Sequence, residues 1–232
     1  MTRRQREQLM GFGTSRPGAV RNLLFDLRGA GVLGESETFL DIGAGSGNVL
    51  DDAEEVYPGL VWGVEINSEW KQRTPSKWQD SIFWCAVQDL PMDCARQRAT
   101  TVAYMYDLCL KTLSRKARTC AEDPHWAIQR ALLDPSRFPA LRVFISTYPP
   151  DRMYGIDGSS WALRLEVNLP CSTGSYRFYV YERTLAADSE KEDKAVSACR
   201  VSMPRTTAAP AASASSGRPK RARDGSARDR PP

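Results

Sequence analysis

The 232-residue sequence predicts an α/β chain built on a doubly wound, seven-stranded sheet, mostly parallel and finished by a C-terminal antiparallel hairpin. Three observations predict it. Short apolar runs alternate with stretches of helical period from Pro17 onward. A glycine-rich loop follows the first of those runs. The last two runs alternate apolar and polar residues on either side of a turn.

Each element has its own signal. "PGAVRNLLFDLRGAG" opens on Pro17 and closes on glycines, and Val20, Leu23, Leu24 and Leu27 recur at helical spacing. "TFLDI" reads as the first strand, leading into the glycines of "FLDIGAGSGNVL". "NVLDDAEEVY" continues as a helix stopped by Pro58 and Gly59, and "LVWGVEI" is a second strand. "SIFWCAV" and "TVAYMY" give the third and fourth strands, "WAIQRALL" a helix and "LRVFIST" the fifth strand. "ALRLEVNLP" and "SYRFYVYER" flank a "CSTG" turn as the closing hairpin.

The ends differ from this body. Residues 1–10 carry Arg3, Arg4 and Arg6 against Glu7 and read as a flexible basic N-terminus. Residues 186–232, rich in Ala, Ser, Pro, Gly and Arg, show no periodic apolar face and read as a disordered basic tail. The folded domain is expected between them, over residues 11–185. Basic ends on a nearly neutral body suit an acidic partner such as nucleic acid or chromatin. "RPKRAR" in the tail matches a short basic nuclear-import signal. The six cysteines form no C-x-x-C pair and His125 is the only histidine, so no metal site is expected. No apolar run approaches the ~20 residues of a membrane span, and the thiols are expected to be reduced and intracellular.

The glycine loop carries the chemistry. Gly43-x-Gly45-x-Gly47 departs from the G-x-G-x-x-G of dinucleotide sites, and with Asn48 next and no Lys it is not a P-loop. Asp41, just before the loop, would repel a phosphate and attract an ammonium. Glu65, at the end of the second strand, can accept both hydroxyls of a ribose. Asp89, after the third strand, is placed to accept from an adenine amine. These three acids at successive strand ends together describe S-adenosylmethionine (SAM) as the cofactor.

The order and spacing resemble class I SAM-dependent methyltransferases, whose sheet is Rossmann-like, and within them the Dot1 family of histone H3 lysine methyltransferases. "GFGTSRPGAV" is similar to that family's Y-G-E-x-x-P motif, with Phe12 at the tyrosine position and Thr14 in place of the usual Glu. "FLDIGAGSGNVL" followed by "WGVEI" resembles its D-x-G-x-G-x-G…G-V-E signature. "VAYMYDL", "VFISTYPP" and the closing hairpin resemble its later strands, with Asp107 where Asn is common. The resemblance spans roughly residues 11–184.

It implies that Asp41, Gly43, Gly45 and Gly47 surround the methionine part of SAM, that Glu65 holds the ribose, and that Asp89 and Leu90 meet the adenine. Ser15 would close over the cofactor, while Phe12, Tyr106 and Asp107 would line the channel for the target lysine. It also implies a nuclear enzyme acting on histone H3 in nucleosomes. The basic tail and the run "KTLSRKARTC" would then hold nucleosomal DNA. Two other readings stand beside it: a methyltransferase acting on RNA or a non-histone protein, and a methyltransferase fold that binds without turnover. The scattered tryptophans Trp62, Trp78, Trp84, Trp126 and Trp161 read as core packing, and His125 as a residue of a helix-start loop.

Overall fold

The computed structural model describes residues 15–106, 123–150, 160–172 and 174–184. In chain order these form helix α1 (Ala19–Gly29), strand β1 (Phe39–Ile42), α2 (Asn48–Glu54) and β2 (Val61–Val64). A 3-10 turn at Ser68–Gln72 leads to α3 (Ser76–Gln79), β3 (Ile82–Phe83), a second 3-10 turn at Val87–Asp89 and α4 (Ala95–Ala99). The remainder comprises β4 (Val102–Met105), α5 (Pro124–Leu133), β5 (Val143–Ser146), β6 (Trp161–Cys171) and β7 (Gly174–Arg183).

The strands form one sheet in the order β3-β2-β1-β4-β5-β7-β6. The first five are parallel, and β7 runs antiparallel to both β5 and β6. This is the doubly wound, seven-stranded sheet, mostly parallel with a terminal antiparallel hairpin, that the sequence predicts. β1, β2, β4 and β5 are buried at every position, which explains their continuous apolar runs.

One predicted strand is shorter than its sequence run. Residues 81–87 give only the two-residue β3, because it pairs with Gly63 and Val64 alone and the chain then turns at Val87–Asp89. His125 also departs from expectation: it lies inside α5, whose N-terminus is capped by Asp123, and is fully buried.

Two apolar layers sandwich the sheet. On one face Leu23, Leu24 and Leu27 of α1 and Leu50 of α2 pack with Phe39, Tyr104 and Phe178. On the other, Leu132 of α5 packs with Leu40, Trp62, Phe144 and Tyr181. Of the five tryptophans expected in the core, Trp62, Trp78 and Trp161 are buried in these layers, whereas Trp84 and Trp126 are only half-buried. The chain leaves β3 on one side of β1 and re-enters the sheet as β4 on the other. That reversal opens a crevice at the carboxyl ends of β1 and β4, the place where open α/β sheets take ligands.

Candidate active site

Beyond β1 the backbone follows β2 for two more residues. Gly43 N and Ala44 N both donate to Val64 O, at 2.9 and 3.0 Å, and Gly47 N closes a turn onto Ala44 O at 2.8 Å. Gly43, Gly45 and Gly47 all have left-handed backbones, with φ of 84°, 53° and 91°. Side chains rarely adopt that region, so the glycines are conformational requirements. A Cβ at Gly43 or Gly45 would meet nothing within 4 Å, so this stretch of backbone faces open space. Gly63 has a different reason. A Cβ there would fall 2.6 Å from Ala44 Cβ, so glycine in β2 lets the loop lie flat on the strand.

Glu65 fastens the loop. Its Oε2 accepts from Gly45 N at 2.9 Å and its Oε1 from Asn67 N at 2.7 Å. Burial raises its pKa, and the backbone N–H groups of Asn67, Gly45 and Ile66 oppose that rise. The carboxylate keeps acceptor capacity beyond these N–H groups, so it can still accept from a hydroxyl.

Asp41 is a buried carboxyl of β1. It is 3% exposed and has no hydrogen-bond partner among the described residues. Burial, with the nearby Glu65 charge, pushes its pKa up to about 8. A buried carboxyl in that condition is a receptor for a cationic group, whose charge would restore the ionised form.

The adenine-side expectations fall on a short stretch. Asp89 ends the 3-10 turn and is exposed. Leu90 is 3% exposed and packs in the core with Val87 and Val64. Ile66, next in sequence to Glu65, is an apolar side chain open to solvent, 59% exposed. Sequence reasoning missed it, although an isoleucine directly after a strand-end acid is a readable signal.

Ser15 lies over β4. Its Oγ is 2.7 Å from the Tyr104 hydroxyl, and its backbone bridges to Cys171 at the hairpin turn. Arg16 N donates to Pro170 O at 3.0 Å. The segment then enters α1, whose N-terminus is capped from another helix: Asp52 of α2 accepts from Gly18 N at 2.7 Å and Val20 N at 3.0 Å. Neither Tyr104 nor Asp52 stands out in the sequence, because each looks like an ordinary member of its element.

Tyr106, one residue past β4, is half-buried. Its ring stacks on Phe178 at 5.7 Å and meets Tyr176 edge-on at 5.8 Å. The hairpin therefore adds aromatic surface to the crevice, a contribution that only the β5–β7–β6 pairing reveals. Phe12 and Asp107 lie outside the described residues. His125 stacks on Tyr148 at 3.7 Å, and its Nδ1 is 3.2 Å from Gln129 Nε2. Among the described residues no group of three or more His, Cys, Asp or Glu side chains could hold a metal ion.

Neither a family model nor a curated protein matches the sequence. Among solved structures, magnesium protoporphyrin IX methyltransferase from Synechocystis, with bound SAM, is similar over 78% of this chain and 90% of its own, at 14% identity and a TM-score of 0.48. A structure described as an RNA methyltransferase from Pyrococcus horikoshii is similar over 76% of this chain and 90% of its own, at 16% identity and a TM-score of 0.45. TrmN from Thermus thermophilus is similar over 73% of this chain and 53% of its own, at 15% identity and a TM-score of 0.46. At these identities and scores none of them bears on what this chain binds or transfers.

Proposed function

We propose that this chain is a SAM-dependent methyltransferase that modifies a lysine side chain, in the manner of the Dot1 family, on histone H3 in nucleosomes. The observation that carries the cofactor is Asp41: a buried carboxyl with no hydrogen-bond partner among the described residues, beside a glycine backbone that faces open space. Its charge would be satisfied by the ammonium of the methionine part. Glu65, with acceptor capacity to spare, would accept from a ribose hydroxyl, and Ile66 would pack on the base. When bound, SAM supplies the electrophilic methyl group; everything else is positioning by the protein.

The acceptor must arrive neutral. Deprotonating a lysine at pH 7 costs about 4.6 kcal/mol from its reference pKa. Aromatic walls of Tyr106 and Tyr176 would lower that pKa by desolvation. Asp107 favours the ammonium, so it would orient the incoming side chain before the proton leaves. The basic tail and the run "KTLSRKARTC" would add a salt-dependent hold on nucleosomal DNA, consistent with nuclear placement.

The test is methyl transfer from radiolabelled SAM to nucleosomes, free histones, bulk RNA and a cell extract in parallel. Gly45→Arg serves as the control, because its side chain would occupy the open space beside the loop. Label on histone H3 that needs the wild-type loop supports the reading. Label on RNA or another protein keeps the transferase and overturns the substrate. Cofactor binding with no label on any substrate leaves a binding module.

A further inference from the structure

Tyr104 has a hydroxyl in the wrong place for a purely apolar core residue. It is fully buried, its ring stacked on Phe39 at 6.2 Å and on Phe178 at 5.5 Å. A phenylalanine would fill the same slot. The hydroxyl is instead 2.7 Å from Ser15 Oγ, 89 residues away in sequence. Tyr104 also stands directly across from Asp41 in the parallel pairing of β1 and β4, so the two side chains share one face of the sheet.

The Ser15 segment is thereby held at three points. Tyr104 fixes its side chain from the sheet, and the hairpin turn holds its backbone through Cys171 and Pro170. Asp52 holds the next residues through Gly18 N and Val20 N. The last two attachments tie backbone to the scaffold and do not depend on the crevice. The first lies beside Asp41. Lifting the segment would strip the Tyr104 hydroxyl of its partner inside the core, which is costly for a buried polar group.

We infer that Tyr104 is a positioning residue for the cofactor: its hydroxyl latches Ser15 down over Asp41 and sets how long SAM stays bound. The inference rests on the proposed SAM site. Tyr104 touches no reacting atom; it acts through Ser15, and its effect belongs on cofactor release.

The wild-type chain, Tyr104→Phe, Ser15→Ala and the double variant are compared for SAM binding by calorimetry and for SAM release by stopped flow. Tyr104→Phe keeps the ring stack and removes only the oxygen. Its expected result is release faster by about fivefold, the worth of one neutral hydrogen bond, with affinity weakened by the same factor. Ser15→Ala, which also removes the contact of Ser15 with the Cys171 thiol, should speed release at least as much, and the double variant should be no worse than Ser15→Ala alone, because the Ser15–Tyr104 bond is lost only once. Ser15→Thr, which keeps a hydroxyl, should restore release toward the wild-type rate. A merely structural role would lower the melting temperature of the ligand-free protein and leave release unchanged. Unchanged release in the single variants, or additive effects in the double, overturns the latch while leaving the SAM site intact. Wild-type protein that binds no SAM overturns the functional reading and the latch with it.

Discussion

The indole of Trp78 lies against Gly47 so closely that a Cβ on the glycine would sit 2.7 Å from Trp78 Cδ1. The same indole donates from Nε1 to Asp51 Oδ1 at 2.8 Å, and Lys77 pairs with that oxygen at 2.5 Å. The third glycine of the loop is therefore fixed twice, by its φ of 91° and by the ring beside it. Gly45 is fixed once, by conformation alone.

Gly47→Ala should then destabilise the protein more than Gly45→Ala. The left-handed backbone alone costs about 1–3 kcal/mol, and only at Gly47 is steric overlap added. Urea denaturation of both variants, repeated in a Trp78→Leu background, separates the parts. Removing the indole should recover the overlap and leave the backbone cost. Equal losses for the two glycines in the wild-type background would show that the ring yields freely.

Asp41 makes a pH prediction with a definite sign. A carboxyl whose pKa is raised to about 8 holds its proton more tightly in the folded state. Its stabilising contribution is present below the ordinary aspartate pKa of ~4 and is lost as pH climbs through 8. The ligand-free protein should lose stability over that window, and Asp41→Asn should flatten the loss. A cationic ligand favours the ionised form, so SAM affinity should rise with pH up to about 8, and at that pH Asp41→Asn should weaken it about tenfold or more. Calorimetry in buffers of different ionisation enthalpy checks both, since binding below pH ~8 must release a proton. No proton release would remove Asp41 from the ammonium site.

Helix α1 has no capping side chain of its own, since its N-cap is Gly18. Asp52→Ala removes the carboxylate that α2 lends it and should cost about 1–2 kcal/mol, the range of a lost N-cap. Asp52→Asn keeps an acceptor oxygen and should cost less. Chemical denaturation ranks the two, and equal costs would point to lost charge rather than lost capping.

Gln97 offers the opposite sign. It is fully buried in α4, and neither amide atom has a hydrogen-bond partner among the described residues. Gln97→Met fills a similar volume without the desolvated amide and should raise stability by about 1–3 kcal/mol. A lower melting temperature for this variant would mean that the amide is satisfied in solution by bound water.

How much of this was legible in the sequence follows from which forces are local. Leu23, Leu24 and Leu27 announce α1 through their spacing, and Phe39–Ile42 reads as a strand because both faces of a central parallel strand are apolar. Gly43, Gly45 and Gly47 were readable because backbone strain belongs to a single residue. Asp41 and Glu65 were readable because a loop of fixed length sets them at adjacent strand ends. The truncation of β3 was not, since a strand ends where its partner ends, and that partner is Val64.

What only the tertiary structure decided are the pairings between elements distant in the chain. Ser15 with Tyr104, Asp52 with the start of α1, Trp78 with Gly47 and Tyr176 with Tyr106 each join residues that no local pattern links. The sequence by itself determined the doubly wound architecture and the acids flanking a glycine loop, because periodicity, φ and charge are properties of neighbouring residues. The partner of a buried hydroxyl or carboxylate is set by which elements the sheet order brings together, and that exists only once the chain has folded.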